Sequence, residues 1–216
     1  MTRAATLSIR DLRFGYGNGQ PPILEGLSHD FEQGTVTAVT GRSGRGKSTL
    51  LYLLGLLLTP ESGSVLIDGD PVSGLSDRAR SLMRASSIGM VFQDSVLDPT
   101  RTLLDSVTEP VLYAHQPRHL RQARAAELLD AFGVDVPPKR KPGQISGGQA
   151  QRVAVARALI NDPILILADE PTGNLDPDNA RRVWDILNRL AREGRTVVVA
   201  THSPELIEEA DKVLAL

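Results

Sequence analysis

The chain has 216 residues, 41% of them hydrophobic and 23% charged, enough for one globular domain of generous size or two closely joined subdomains. A formal net charge of −2 gives no long-range pull toward nucleic acid or anionic lipid. There is no cysteine, which excludes disulfide frameworks and thiolate metal sites and fits a reducing cytoplasm.

Residues 1–14 carry charges throughout and lack the apolar stretch of a signal peptide. Residues 7–14 alternate apolar and polar side chains, as a half-buried strand does. A Gly/Pro turn over 16–22 leads into a second expected strand, 23–31, and the β-branched run 35–40 has the composition of a buried strand. A helix is expected over 47–57. The longest apolar run, 50–58, lies within and just beyond it and falls well short of the roughly 20 residues that span a bilayer. It therefore reads as buried helix: the chain is expected to be soluble, with any membrane connection made through a partner. Strands are expected at 64–68 and 87–92, with a polar helix over 76–84 between them.

After Gln93 the character changes. Segments 102–113 and 120–132 have helical spacing, with Leu128, Leu129 and Phe132 on one face. A stiff basic linker, 137–143, follows and reads as a solvated loop. Then come a helix over 147–160, a strand over 164–168, a helix over 177–192, a strand over 196–201 and a short helix over 204–210. Strands, then a helical insertion, then alternating strand and helix imply an α/β fold with a mostly parallel core sheet and a helical subdomain.

Two devices along this order are suited to phosphate. Gly41-Arg42-Ser43-Gly44-Arg45-Gly46-Lys47-Ser48-Thr49 is a P-loop between a strand and a helix. Its glycines let backbone N–H groups close around phosphate oxygens, Lys47 would reach the β- and γ-phosphates, and Ser48 would ligate Mg²⁺. Arg45 stands where a small side chain is more usual. Downstream, Ile164 to Ala168 is an apolar strand running into Asp169, placed to hold Mg²⁺ through water, and Glu170, placed to polarise an attacking water as general base. The second device, Ser146-Gly147-Gly148-Gln149, opens a helix and offers N–H groups and a helix dipole to an anion. One nucleotide does not need both devices from a single copy if they lie far apart, so the pair suggests ATP shared between two chains.

The stretch Ile145-Ser146-Gly147-Gly148-Gln149-Ala150-Gln151-Arg152 resembles the signature sequence of ABC-transporter ATPases, and the likeness covers essentially the whole chain. The resemblance implies a P-loop NTPase of the ABC ATPase type, with an antiparallel β subdomain added to the parallel core. It implies a single domain, 1–216, in which 1–93 and 159–216 form the nucleotide-binding core and 94–158 the helical subdomain. It also assigns roles. Tyr16 is similar to the adenine-stacking aromatic, and Gln93 to the Q-loop glutamine that senses Mg²⁺ and the attacking water. Ser146, Gly147 and Gly148 are similar to the loop that closes on the γ-phosphate of the opposing subunit's ATP, with Gln149 beside them. Asp176 is similar to the D-loop aspartate, and His202 to the switch histidine on the γ-phosphate. Gly41, Ser43, Gly44, Gly46, Lys47, Ser48 and Thr49 would hold the nucleotide. Glu170, His202 and Gln93 would serve catalysis, and Ser48, Gln93 and Asp169 the metal.

Ala168-Asp169-Glu170-Pro171-Thr172-Gly173-Asn174-Leu175-Asp176 resembles the lipoprotein-release, macrolide-efflux and cell-division branch, the LolD, MacB and FtsE group. Residues 97–102 instead resemble the peptide-importer ATPases. Such a subunit is expected to form a homodimer around two Mg·ATP and to drive an integral membrane permease in export or mechanotransmission, sitting peripherally on the inner face of the cell membrane. Ending at Leu216, the chain is expected to lack a C-terminal regulatory domain. The alternatives are a peptide-type importer subunit, a soluble ABC ATPase working on DNA or ribosomes, and a P-loop kinase. The acidic balance speaks against nucleic acid as partner, and a kinase would leave the signature residues and His202 without a role.

Overall fold

The computed structural model describes residues 7–17, 21–113 and 118–216. The first six residues, and the middle of the turn expected over 16–22, lie outside them. In chain order the elements are β1 (Leu7–Phe14), β2 (Leu24–Phe31), β3 (Val36–Thr40), α1 (Lys47–Leu54), β4 (Ser62–Ile67), β5 (Asp70–Pro71), α2 (Asp77–Ser87) and β6 (Ile88–Val91). They continue with α3 (Leu103–Thr108), a 3₁₀ segment (Glu109–Tyr113), α4 (Arg118–Ala131), a short 3₁₀ turn (Pro142–Gln144), α5 (Gly147–Leu159), β7 (Leu165–Asp169), α6 (Pro177–Arg192), β8 (Thr196–Ala200), α7 (Pro204–Glu209) and β9 (Lys212–Ala215).

The strands form two sheets. One has the order β2-β1-β4-β5 and is antiparallel throughout; the other has the order β6-β7-β8-β3-β9 and is parallel. The parallel sheet is covered on both faces, which is why its central strands read as unbroken apolar or β-branched runs: all five residues of β7 and of β8 are buried. Alternation along each strand divides the interior in two. Ile166, Ala168, Val197 and Val199 point toward the side packed by α5 and α6, with the fully buried Trp184 at its centre. Leu165, Leu167, Val198 and Ala200 point toward α1 and the antiparallel sheet. The Trp184 indole N–H donates to Glu209 Oε2 at 3.0 Å, so the one polar atom of that ring is satisfied while it ties α6 to α7.

Three differences from the expected elements have physical causes. Helix α1 stops at Leu54, not Leu57: Leu56 turns through φ +56°, and the N–H groups of Leu56 and Leu57 close the helix by donating to Leu53 O at 3.0 Å and Tyr52 O at 2.8 Å. The expected helix over 102–113 splits into α3 and the 3₁₀ segment at Pro110, which has no N–H to continue the α-helical ladder. Strand β9 was not expected at all. Its four residues are too few for a period to show, yet it pairs with β3 from Thr37↔Lys212 to Thr40↔Ala215. Among the described residues no helix is long and apolar enough to cross a membrane.

Candidate nucleotide site

Because the sheet is parallel, the carboxyl ends of adjacent strands open on one edge, the usual ligand side of such sheets. Four neighbouring strands each deliver an expected site residue there. The chain leaves β6 into Phe92 and Gln93, β7 ends in Asp169 and Glu170, β8 leads to Thr201 and His202, and β3 runs into the P-loop.

The P-loop is shaped by its glycines. Gly41, Gly44 and Gly46 all have positive φ. Gly46 caps α1 in the left-handed region, and a Cβ there would sit 2.6 Å from Ile23 Cγ2, so the loop is pressed against the chain leading into β2. Behind Gly41 lies Leu216, whose carbonyl oxygen would be 3.0 Å from a Cβ and whose N–H donates to Thr40 O at 2.9 Å. Strand β9 and the residue after it thus support the loop from below. Lys47 Nζ donates back across the loop to Gly41 O at 3.0 Å, holding its ammonium at the loop's mouth. Ser43, half-way round the loop, is exposed.

Ser48 Oγ donates to Asp169 Oδ1 at 3.0 Å, joining the start of α1 to the end of β7. Burial pushes the Asp169 carboxyl up from its ordinary range, with the charge of Glu170 adding to the rise and the Ser48 hydrogen bond opposing it. A hydroxyl and a carboxylate meeting beside a lysine form a hard-oxygen donor set that suits Mg²⁺ carried by a nucleotide, which keeps waters and phosphate oxygens as its other ligands. Consistent with that, no cluster of three or more acidic, histidine or cysteine side chains able to hold a metal alone occurs among the described residues.

Glu170 has φ +45°, a strained left-handed value for a residue with a Cβ. That turn swings its side chain off the strand direction and out to the open edge, while its N–H still bonds Ala200 O at 2.9 Å. His202 Nδ1 lies 2.9 Å from Glu170 Oε2; the carboxylate is 14% exposed and the imidazole 73%. A cleft of about 480 Å³ opens beside the pair, with Leu206 at its floor and Arg181, Glu205 and Glu209 on its rim. Tyr16 is 57% exposed; its ring stands edge-on to Phe14 at 5.1 Å, and its hydroxyl lies 3.2 Å from Thr49 Oγ1. Gln93 is exposed near Gly173, and Asn174 Nδ2 donates to the neighbouring Asp94 at 3.1 Å.

Ser146 caps α5. Its Oγ accepts from Gln149 N–H at 3.2 Å while Gln149 Oε1 accepts from Ser146 N–H at 3.0 Å, a reciprocal capping box. The N–H groups of Gly147 and Gly148 find no acceptor among the described residues, and no hydrogen bond joins Ser146, Gly147, Gly148 or Gln149 to the P-loop. Asp176 likewise caps its helix, α6, through Asn179 N–H at 3.0 Å. The structure therefore brings Lys47, Ser48, Asp169, Glu170, His202 and Tyr16 to one edge and leaves the signature residues with partners only inside their own cap.

Sequence reasoning passed over several residues. Tyr52, one helical turn after Ser48, faces Asp169, and its phenol is pushed up by burial and then by the Asp169 charge. The i, i+4 spacing from Ser48 was a usable signal. Gln151 Nε2 donates to Phe92 O, and Arg157 donates to Ser95 O and Val96 O, so α5 braces both sides of the Gln93 loop. Those long-range contacts have no local signature in the sequence.

Comparison with known proteins agrees with this arrangement. Residues 24–173 match the ABC transporter family. The lipoprotein-releasing system ATP-binding protein LolD of Bordetella pertussis is 43% identical over 199 residues, 92% of this chain and 86% of that protein. The macrolide export ATP-binding/permease protein MacB of Brucella melitensis is 40% identical over 218 residues, all of this chain and 34% of that longer protein. Among solved structures, the dimeric post-hydrolysis state of the ATP-binding cassette MJ0796, bound to ADP and Pi, superposes with a TM-score of 0.88 at 34% identity, covering 97% of this chain and 94% of that one. The chain belongs to the ABC transporter family, as an ATP-binding subunit of the branch that holds LolD and MacB.

Proposed function

We propose that this subunit binds Mg·ATP on its P-loop, pairs with a second copy that caps each nucleotide with its own signature loop, and hydrolyses the ATP to drive a membrane permease. The observation that carries the reading is a pair of open helix starts in one chain. The N–H groups of Gly44, Gly46, Lys47 and Ser48 at the P-loop and those of Gly147 and Gly148 at the positive end of α5 have no acceptor among the described residues, and no hydrogen bond joins the two sets. A twofold pairing of two copies satisfies both faces with one interface. The dimeric relative bound to ADP and Pi supports that stoichiometry, and the lipoprotein-releasing LolD and the macrolide export ATP-binding/permease MacB support export or lipoprotein release through a permease, with this subunit peripheral on the inner face of the membrane.

In this reading Gly41, Gly44 and Gly46 give the phosphates backbone N–H groups, with Ser43 and Thr49 on the same loop, and Lys47 turns from Gly41 O to the β- and γ-phosphates. Tyr16 stacks on the adenine. Mg²⁺, when bound with the nucleotide, would neutralise developing phosphate charge; Ser48, Asp169 and Gln93 would hold it. Glu170, with Oε2 beside His202 Nδ1, would take the proton of the attacking water. The other face of the exposed His202 ring is turned to the γ-phosphate. Ser146, Gly147, Gly148 and Gln149 of one copy, with Asp176, meet the nucleotide of the other. We further propose that 94–158 moves as a helical subdomain against a core of 1–93 and 159–216.

Glu170→Gln keeps the shape of the site and removes the base. Turnover should fall by roughly 10²–10⁴-fold, and light scattering in saturating Mg·ATP should show a stable dimer. If the variant stays monomeric in Mg·ATP, both alone and with a co-expressed permease, the shared-nucleotide reading is wrong.

A further inference from the structure

Asn179 stands at the third position of α6, where the residue opposite a helix cap ordinarily reaches back to the cap's own N–H. Here it does something else. Its side-chain Nδ2 donates to Asp176 Oδ2 at 2.7 Å while its backbone N–H donates to Asp176 Oδ1 at 3.0 Å, so one residue holds both oxygens of that carboxylate. Its amide oxygen accepts from Arg152 Nη1–H at 2.7 Å. Arg152 belongs to α5, is 5% exposed, and donates its other nitrogen to Gly133 O at 3.3 Å. The amide orientation is fixed by chemistry, because an arginine can only donate and a carboxylate can only accept.

The contact is steric as well as polar. Gly148 lies one turn before Arg152 on α5, and a Cβ on it would stand 2.4 Å from Asn179 Cγ and 2.6 Å from its Oδ1. Signature residue and amide are thus in direct contact, with no room for even a methyl group between them. The bonds from Asn179, the backbone one first, also hold the Asp176 carboxyl below the usual carboxylate range. The two stretches assigned to face a second copy, residues 146–149 and residue 176, come from segments 27 or more positions apart. They touch through this one amide.

We propose that Asn179 is a positioning residue that locks Asp176 to the signature helix, so that both are presented to the second copy as one rigid unit. It rests on the two-copy reading above and adds a specific consequence. A displacement of α5 is passed to Asp176 through Arg152 and Asn179 within the same chain, whether or not nucleotide is present. Asn179 itself touches no nucleotide; its effect is on pairing.

The test places Asn179→Ala and Asn179→Asp in the full-length Glu170→Gln protein and titrates Mg·ATP while dimer is followed by light scattering. Binding of a fluorescent ATP analogue is measured in parallel at concentrations where the protein is monomeric. Asn179→Asp keeps the volume and the acceptor for Arg152, but it loses the donor to Asp176 and sets two carboxylates together. Expected are a tenfold or greater rise in the ATP needed for half-dimerisation with both variants, and analogue affinity within twofold of the parent. In the otherwise wild-type chain, where hydrolysis needs the dimer, the KM for ATP should rise about tenfold with kcat largely recovered at saturating ATP. Dimerisation of either variant at the parent's ATP concentration overturns the proposal, as does a loss confined to analogue binding. If Glu170→Gln alone fails to dimerise, the two-copy reading has failed first.

Discussion

The P-loop edge and the signature edge are both built from a helix N-terminus preceded by glycine-rich chain, yet they differ in what surrounds them. Around the P-loop, four strand ends converge, and nearly every functional side chain already touches another: Lys47 with Gly41, Ser48 and Tyr52 with Asp169, Glu170 with His202, Tyr16 with Thr49. At the signature edge the side chains of Ser146 and Gln149 are consumed by the cap itself, the Gly147 and Gly148 N–H groups stay open, and the support comes from behind, through Arg152 and Asn179. On the reading proposed above, one face is organised toward a ligand held in the same chain. The other is organised to keep a surface rigid until something arrives from outside. The difference teaches that similar helix-start chemistry becomes a binding site or a docking face according to what stands opposite it.

The sharpest way to break this comparison is Lys47→Ala. Removing a charge that faces phosphate should cost about 2–5 kcal/mol, a loss of ~30-fold or more in ATP affinity. Analogue binding to the monomer is the measurement. The parallel sheet and both core clusters lie away from the Lys47 side chain, so thermal stability should stay within a few degrees. Retained affinity would mean that the P-loop edge is not the resident nucleotide site, and the contrast between the two faces would collapse.

Much of the P-loop edge was legible in the sequence because it is written locally. A β-branched run followed by a glycine loop and a lysine, or an apolar strand followed by two carboxylates, needs only a dozen neighbouring residues to be read. Strands β7 and β8 are buried on both sides and so carried an uninterrupted apolar signal. What could not be read is what depends on distant segments meeting. The third residue of α6 looks like any exposed helix-start asparagine, and nothing in Asp176-Pro177-Asp178-Asn179 announces Arg152 or Gly148 as neighbours. Likewise β9 is a strand because β3 offers it an edge.

Ser146→Ala probes the signature face with a smaller effect. The substitution deletes the side-chain acceptor for Gln149 N–H and frees one half of the capping box, at a cost of about 1 kcal/mol. On the reading above, that loosens the docking face without touching the P-loop. In the Glu170→Gln background the ATP concentration for half-dimerisation should rise about fivefold, while analogue affinity in the monomer is unchanged. An equal weakening of monomer binding would show that the two edges serve one nucleotide within a single chain, and the comparison would have to be redrawn.

A comparably small effect belongs to Tyr16, a mostly exposed contact of the P-loop edge. Its ring is steadied by the edge-on contact with Phe14 and by the hydroxyl beside Thr49 Oγ1, so it stands as a flat surface at the rim before any base arrives. Stacking of an aromatic ring on a base is worth about 1–3 kcal/mol, and exposure places this one at the low end. Tyr16→Ala should therefore weaken ATP about fivefold. Tyr16→Phe keeps the ring and gives up only the hydrogen bond to Thr49, and its affinity should stay within twofold of the parent. Comparing ATP with GTP on both variants separates a stacking surface, which tolerates either base, from a hydroxyl that reads one of them. If Tyr16→Phe loses as much as Tyr16→Ala, the hydroxyl and its Thr49 contact are the working part, and the P-loop edge extends one residue further toward the base than its phosphate-binding residues imply.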